Sequence, residues 1–93
     1  MKTDVRTATE VDVFVGARLK ALRKSAGMTQ TDLANQIGVT FQQVQKYERG
    51  TNRIGASRLW SLCKVFNVKP DRFFEGVEEH LVSPETPNLT DVK

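Results

Sequence analysis

The sequence predicts an all-α fold, a compact domain of five helices with flexible termini. Apolar residues recur at helical spacing through most of residues 12–76, and glycine or asparagine stands where most helical stretches would end. A chain of 93 residues has room for one small domain. We therefore expect a folded domain over 12–76, a disordered N-terminal arm over 1–11, and an acidic, mostly disordered tail over 77–93, of which 77–82 could join a dimer contact.

The first helix is predicted from about Asp12 to Ala26. Its apolar residues advance by three or four positions and form one stripe: Val11, Val15, Leu19, Leu22 and Ala26. The alternation over residues 11–15 also suits a short strand, but the four-residue step continues beyond it and Asp12 can cap a helix N-terminus. Gly27, which tolerates positive φ, would end this helix.

Two short helices follow, each with a capping residue at its start. Thr29 and Asp32 have the form of a capping box, and Thr40 and Gln43 repeat that form eleven residues later. A glycine follows each helix, and the predicted inner faces hold Leu33, Ala34, Ile37, Val44 and Tyr47. Two short helices joined by a tight turn that contains glycine form a helix-turn-helix arrangement.

A fourth helix is predicted over residues 56–66, followed by a short fifth helix over 70–75. The stripe of the fourth helix is Leu59, Leu62, Cys63 and Phe66. Pro70 suits the first turn of the fifth helix, which would bury Phe73 or Phe74.

Charge is distributed unevenly along the chain. Residues 12–76 carry 11 basic and 5 acidic side chains, a net charge of +6, whereas residues 1–11 have a net charge of 0 and residues 77–93 of −3. A compact basic domain attracts phosphate polyanions. No apolar run approaches the roughly 20 residues of a membrane span, so we expect a cytoplasmic protein with no membrane association.

Catalytic and metal-binding patterns do not emerge from the sequence. The one cysteine, Cys63, has core spacing, and the one histidine, His80, lies in the predicted tail. These two residues make neither a zinc cluster nor a nucleophile with its base. A Gly-rich phosphate loop is also missing from the sequence. We therefore expect no enzymatic activity, no metal and no cofactor.

The outward face of the predicted third helix suits the reading of bases. The candidates for base contacts are Phe41, Gln42, Gln45 and Lys46. Glutamine can make two hydrogen bonds to adenine, lysine can donate to guanine, and Phe41 could pack on a thymine methyl group. From composition alone, a merely solvated polar face explains these residues equally well.

Residues around that helix are candidates for phosphate contacts. Thr29, Gln30 and Thr40 lie at helix N-termini, where free N–H groups and the positive end of the helix dipole favour phosphate. Basic and polar residues continue from the end of the third helix into the next loop: Arg49, Thr51, Asn52 and Arg53.

Residues 23–50 resemble the phage-repressor and Cro-like (XRE-type) helix-turn-helix transcriptional regulators. The shared pattern runs from Thr29-Gln30 through Leu33-Ala34 and the turn at Gly38 to Tyr47-Glu48-Arg49-Gly50. Small Ala34 stands where the two motif helices of the family cross. The resemblance extends over about residues 12–76 and implies a lambda-repressor-like DNA-binding domain.

The resemblance also implies roles for individual residues. Gln30 would hold a phosphate and brace the recognition helix, and Arg23 would pair with Glu48 as a structural pair. Phe41, Gln42 and Lys46 fall on base-contacting positions, and phosphate-contacting positions fall on or near Thr40, Gln43, Asn52 and Arg53. Many relatives have a polar residue where this chain has Phe41, so a methyl contact or a packing role is expected there. The family's dimer contact would involve Phe73, Phe74, Val77, Leu81 and Val82.

The leading hypothesis is a sequence-specific transcriptional regulator that binds double-stranded DNA with a recognition helix over about 41–49 in the major groove. One helix-turn-helix reads only a few base pairs, so a homodimer on a two-fold symmetric operator is expected. The alternative is an antitoxin or anti-repressor-type protein-interaction module in which DNA binding is secondary. The operator, the regulated genes and any effector stay open.

Overall fold

The structure, a computed structural model, describes the backbone of residues 2–81 and the side chains of residues 10–81. Within this part, the chain forms five α-helices and one 3-10 helix, without a strand. They are α1 (Lys2–Ser25), α2 (Gln30–Ile37), α3 (Phe41–Arg49), α4 (Ala56–Phe66), the 3-10 helix (Pro70–Phe74) and α5 (Val77–Leu81). The predicted all-α helix-turn-helix fold is confirmed. No helix of the described part is both long and apolar enough to span a membrane.

Helix α1 begins well before the predicted N-terminus. Its backbone is helical from Lys2, so α1 includes residues for which the sequence predicted a separate arm, and the disorder of that arm stays a prediction. This stretch contains no glycine or proline, and nothing in it interrupts the helix that Val15 anchors in the core. The predicted N-cap at Asp12 is wrong, because Asp12 lies inside α1.

The C-terminal part also differs from the predicted single helix over 70–75. The chain forms a 3-10 helix at Pro70–Phe74, turns at Gly76 with a φ of 85°, and forms α5 within the segment predicted as a disordered tail. The 3-10 helix is common in such short segments, where its tighter winding is tolerated. The rest of the predicted tail, residues 82–93 with Val82, lies outside the described residues.

The core forms where α1, α2, α3, α4 and the 3-10 helix meet. Its buried members are Val15, Leu19, Leu33, Ala34, Ile37, Val44, Tyr47, Leu62, Cys63 and Phe73. Of the two neighbouring phenylalanines, Phe73 is fully buried whereas Phe74 is 40% exposed. Trp60 is 59% exposed on the outer face of α4, where the Lys64 ammonium lies 5.7 Å from its ring centre. Phe73 thus belongs to the core and is unavailable for the predicted dimer contact.

Helix α1 packs unusually close to the C-terminal end of α3. A Cβ atom at Gly16 would lie 2.3 Å from the carbonyl oxygen of Tyr47 and 2.8 Å from that of Glu48. At Gly50, which ends α3 with a φ of 80°, a Cβ atom would lie 2.6 Å from the Cα atom of Val13. Only glycine allows this close approach of the two backbones. Gly16 and Gly50 therefore determine where along α1 the end of α3 packs.

Candidate nucleic-acid interface

Helix α3 presents one polar face away from the core. Its buried residues are Val44, Tyr47 and Glu48. Gln42, Lys46 and Arg49 are exposed and recur at spacings of four and three residues, which places them in one row on the opposite side. None of these three side chains makes a hydrogen bond or an ion pair with another residue in the described part of the chain. Within the described residues, their donors and acceptors therefore have no protein partner that a ligand would need to displace.

None of the twelve residues predicted to contact DNA is buried. The exposed ones are Thr29, Thr40, Phe41, Gln42, Lys46, Arg49, Thr51 and Arg53, and the half-buried ones are Gln30, Gln43, Gln45 and Asn52. Phe41 is 41% exposed at the start of α3, so much of its ring stays in contact with solvent. Helices α2 and α3 pack on each other and the loop follows directly after α3, so these residues lie on neighbouring elements.

Helix α3 is held against α1 by a buried ion pair. The Arg23 guanidinium donates to both carboxylate oxygens of Glu48, from Nε across 2.6 Å and from Nη2 across 3.2 Å. Its Nη1 donates to the carbonyl oxygen of Met28 across 2.8 Å. Arg23 and Glu48 are only 7% and 8% exposed, and their polar atoms are satisfied by these bonds. The predicted pairing of Arg23 with Glu48 is present.

Gln30, the first residue of α2, joins the same carboxylate. Its Nε2 donates to Oε1 of Glu48 across 3.0 Å. Because a carboxylate only accepts hydrogen bonds, the amide nitrogen must face it, which determines the orientation of the Gln30 amide. One N–H of that nitrogen and the amide oxygen remain for other partners. The side chain thus links the start of α2 to the last turn of α3.

Helices α2 and α3 both start at a threonine cap, but only the first capping box is complete. Thr29 Oγ1 accepts from the backbone N–H of Asp32 across 3.0 Å, and the backbone N–H of Thr29 donates to the Asp32 carboxylate across 2.9 Å. This backbone bond, helped by the threonine hydroxyl and opposed by desolvation, holds the pKa of Asp32 below its ordinary value of 3.8.

The second box is only half formed. Thr40 Oγ1 accepts from the backbone N–H of Gln43 across 3.1 Å. Among the described residues, the Gln43 side chain does not accept a bond from the Thr40 backbone in return, so that part of the prediction is wrong. A neutral amide is a weaker acceptor than a carboxylate, which favours its release to solvent. The first N–H groups of an α-helix lack carbonyl partners within the helix, so both motif helices have such groups at their N-termini.

The loop after α3 folds back onto the end of that helix. The carbonyl oxygen of Lys46 accepts from the backbone N–H groups of Thr51, across 3.1 Å, and Asn52, across 3.3 Å. It also accepts from the Thr51 hydroxyl across 3.1 Å. The hydroxyl proton of Thr51 is thus used inside the protein, and a phosphate contact by this residue would require its backbone or a rotated hydroxyl. That contact stays a prediction.

Arg53 makes an ion pair that the sequence did not indicate. Its Nε donates to Oδ2 of Asp12, in the middle of α1, across 2.9 Å. The Arg53 side chain is 67% exposed. The sequence spacing gave no signal for this pair, because the partners are 41 residues apart and belong to different elements.

A family model described as helix-turn-helix matches residues 19–73, which include α2, α3, α4, the C-terminal part of α1 and most of the 3-10 helix. The chain belongs to this helix-turn-helix family. Together with the relatives below, this match confirms the resemblance to XRE-type transcriptional regulators, a family of regulators rather than enzymes.

Several relatives carry the name of a transcriptional regulator. The chain is 48% identical over 80 residues to an uncharacterized HTH-type transcriptional regulator, y4wC, of Sinorhizobium fredii, covering 86% of this chain and 56% of that protein. It is 48% identical over 77 residues to an uncharacterized transcriptional regulator in the ATPase CF(0) region of Rhodospirillum rubrum, covering 83% of this chain and 71% of that one. The first relatives it matches are thus longer proteins, of which it spans between 47% and 56%.

A solved structure with the same fold is that of the restriction-modification controller protein C.AhdI from Aeromonas hydrophila. The two chains superpose with a TM-score of 0.63 at 29% sequence identity, over 67% of this chain and 94% of that one. The helix-turn-helix region and its supporting helices therefore have the arrangement of a known regulator.

Proposed function

We propose that this chain binds double-stranded DNA in a sequence-specific manner as a transcriptional regulator, with α3 in the major groove. The observation that carries the proposal is the free row of Gln42, Lys46 and Arg49 on the outward face of α3. An α-helix fits the major groove of B-form DNA, where each base pair presents its own pattern of donors and acceptors. Glutamine and lysine side chains from this row can bond to that pattern.

Base contacts are assigned to the N-terminal and central part of this row. Gln42 can bond adenine bidentately, and Lys46 can donate to the acceptors of guanine. The exposed ring of Phe41 can pack on a thymine methyl group, and Gln45 lies at the edge of the same face. Helix-turn-helix proteins read bases mainly with the first residues of this helix, which supports the order proposed here.

Phosphate contacts are assigned to the surrounding residues. The N-termini of α2 and α3 offer free N–H groups and the positive ends of two helix dipoles beside Thr29 and Thr40. Gln30 keeps one amide N–H for a phosphate, and the exposed Arg49 and Arg53 supply positive charge. Gln43, Thr51 and Asn52 complete the proposed set at its edges. Such contacts hold the helix in register without reading sequence.

We further propose that the protein acts as a homodimer on a two-fold symmetric operator. The exposed Phe74 and the half-buried Val77 and Leu81 lie at the C-terminal end of the described fold and are the candidates for the subunit contact. Two copies double the number of base pairs read, which gives the specificity that one module lacks. Selection of bound duplexes from a random pool tests this proposal, and it should yield a motif with inverted symmetry.

The role of α3 is tested with alanine variants on the selected duplex. Gln42→Ala and Lys46→Ala should each weaken binding by about 1–3 kcal/mol and relax the preference at one base position. Gln36→Ala on α2 and Lys69→Ala before the 3-10 helix make the same chemical changes at exposed residues elsewhere and should bind like the wild type. Equal binding by all four variants would exclude α3 as the reading helix.

The alternative of an antitoxin or anti-repressor-type interaction module stays a prediction. A small toxin-like reading frame beside this gene would favour it, as would a selection that enriches no common duplex. The proposal of sequence-specific binding requires that the selection enrich duplexes with a common motif.

A further inference from the structure

The contact between Arg53 and Asp12 joins the loop after α3 to the middle of α1. Arg53 Nε donates to Asp12 Oδ2 across 2.9 Å. The Asp12 side chain is only 22% exposed, whereas the Arg53 side chain is 67% exposed. The acidic partner is therefore embedded in the domain surface, and most of the basic partner projects into solvent.

The bond through Nε leaves the outer part of the guanidinium free. Arginine carries N–H donors on Nε and on both terminal nitrogens, and phosphate is bound by pairs of them in a fork. Asp12 uses the donor nearest the side-chain stem, so the terminal nitrogens remain available. An arginine held in this way has fewer rotamers to lose when a phosphate arrives.

Both ends of the pair rest on rigid parts of the fold. Val13, next to Asp12, packs so closely on Gly50 that no Cβ atom would fit there. The loop that leads to Arg53 is tied to the Lys46 carbonyl oxygen by the backbone of Thr51 and Asn52. Asp12 also lines a small cavity together with Ile54, the residue after Arg53. Asp12 therefore has a defined position relative to α3.

We infer that Asp12 is a positioning residue that presents the Arg53 guanidinium to the DNA backbone. The inference rests on the proposed function, because it requires Arg53 to contact a phosphate. It assigns an acidic residue on α1, outside the helix-turn-helix motif, a favourable role in binding a polyanion. Simple charge repulsion gives the opposite expectation, namely that removal of Asp12 strengthens binding.

The test compares Asp12→Ala with Glu10→Ala in titrations of a labelled duplex, the one enriched by selection. Glu10 is an exposed acid on the same helix, so both variants remove one negative charge from α1. Asp12→Ala should bind about two- to ten-fold more weakly than Glu10→Ala, the cost of ordering one free arginine side chain. Asp12→Asn, which is close in size, should also bind more weakly, and thermal unfolding of each variant checks that the fold is intact.

A second set of variants is made in the Arg53→Ala protein. It shows whether Asp12→Ala acts through Arg53 or through a general effect on the structure. In that background, the additional change Asp12→Ala should alter affinity no more than Glu10→Ala does. Arg53→Ala should also flatten the dependence of affinity on salt by about one phosphate contact. The positioning role is overturned if Asp12→Ala binds as well as Glu10→Ala, or if its loss persists without Arg53.

The same experiment distinguishes failure of the proposed function from failure of the positioning role. If the wild type binds no duplex better than the random pool, sequence-specific binding is wrong. If the wild type binds and depends on Arg53 but not on Asp12, only the positioning role is wrong. If Arg53→Ala binds like the wild type, Arg53 makes no phosphate contact and the inference is overturned while DNA binding stands.

Discussion

Arg23 and Glu48 form a two-bond ion pair that joins the C-terminal half of α1 to the last turn of α3. Glu48 lies on the buried side of α3, directly behind its polar face. The carboxylate also accepts from Gln30, so one anionic group connects three helices. The position of the proposed recognition helix depends on this group.

Removal of the carboxylate is expected to destabilise the protein strongly. Glu48→Ala leaves the Arg23 guanidinium buried with only the Met28 carbonyl oxygen as a partner, and loss of one member of a buried pair costs about 3–5 kcal/mol of unfolding free energy. Urea denaturation measures the change. Glu10→Ala, at an exposed acid, should change stability by less than about 0.5 kcal/mol. The double change Arg23→Met with Glu48→Leu should cost less than Glu48→Ala, since it strands no charge.

A methyl group at Gly16 is expected to push α1 away from α3. Gly16→Ala gains helix propensity, but its Cβ would meet the backbone carbonyl oxygens of Tyr47 and Glu48, which cannot rotate aside. The net loss of unfolding free energy should be about 1–3 kcal/mol, as for other overpacked sites. Gly55→Ser is the control, because Gly55 is an N-cap with no atom near its Cβ position. A Gly16→Ala variant as stable as the wild type would contradict the close crossing.

The capping box of α2 should make stability depend on acid pH. The pKa of Asp32 is lowered in the folded state, so its contribution is fully present above the ordinary value of 3.8 and is lost as the pH falls through the lowered value. The stability difference between wild type and Asp32→Asn should therefore shrink between about pH 5 and pH 2. Glu79→Gln, at an exposed residue of α5, is the matched control. A difference that stays constant over this range would rule out the carboxylate as the capping group.

The thiol of Cys63 should be inert in the folded protein. Burial, and to a smaller degree the negative charge of Asp71, raise the pKa of Cys63, and its side chain lies in the core. Iodoacetamide at mildly alkaline pH should label the denatured chain quickly and the native chain only at the rate of unfolding. Asp71→Asn should accelerate native labelling little, because burial is the larger cause. Rapid labelling of the native protein would show that the core opens locally at α4.

Local sequence signals predicted the parts of the fold that local chemistry determines. The bounds of α2, α3 and α4 were predicted almost to the residue from the caps at Thr29 and Thr40, the acid Asp32 and the apolar stripes. Caps and periodicity act within about one helical turn, so the local sequence contains them. The start of α1 was predicted wrongly because Asp12 looked like a cap, although nothing before it ends a helix. Its real partner, Arg53, lies in another element, and spacing along the chain carries no information about such a pair.

Some features of the candidate site could likewise be predicted from local sequence patterns, and others could not. The outward row on α3 follows from helical periodicity, whereas the pairing of Arg23 with Glu48 was expected only from the family resemblance. Gly16 also carries information in the sequence, because it stands inside the predicted first helix, where glycine is costly unless another backbone approaches. Its contact with α3 could have been inferred from that cost.

The shared carboxylate of Glu48 also bears on how quickly a duplex could be bound. Since Gln30 and Arg23 hold the same group, the angle between α2 and α3 is set before any ligand arrives. Binding then needs side-chain adjustment but no rearrangement of the backbone. We therefore expect association to be limited by diffusion and electrostatic attraction, and affinity differences among DNA sequences to reside mainly in how long each complex survives.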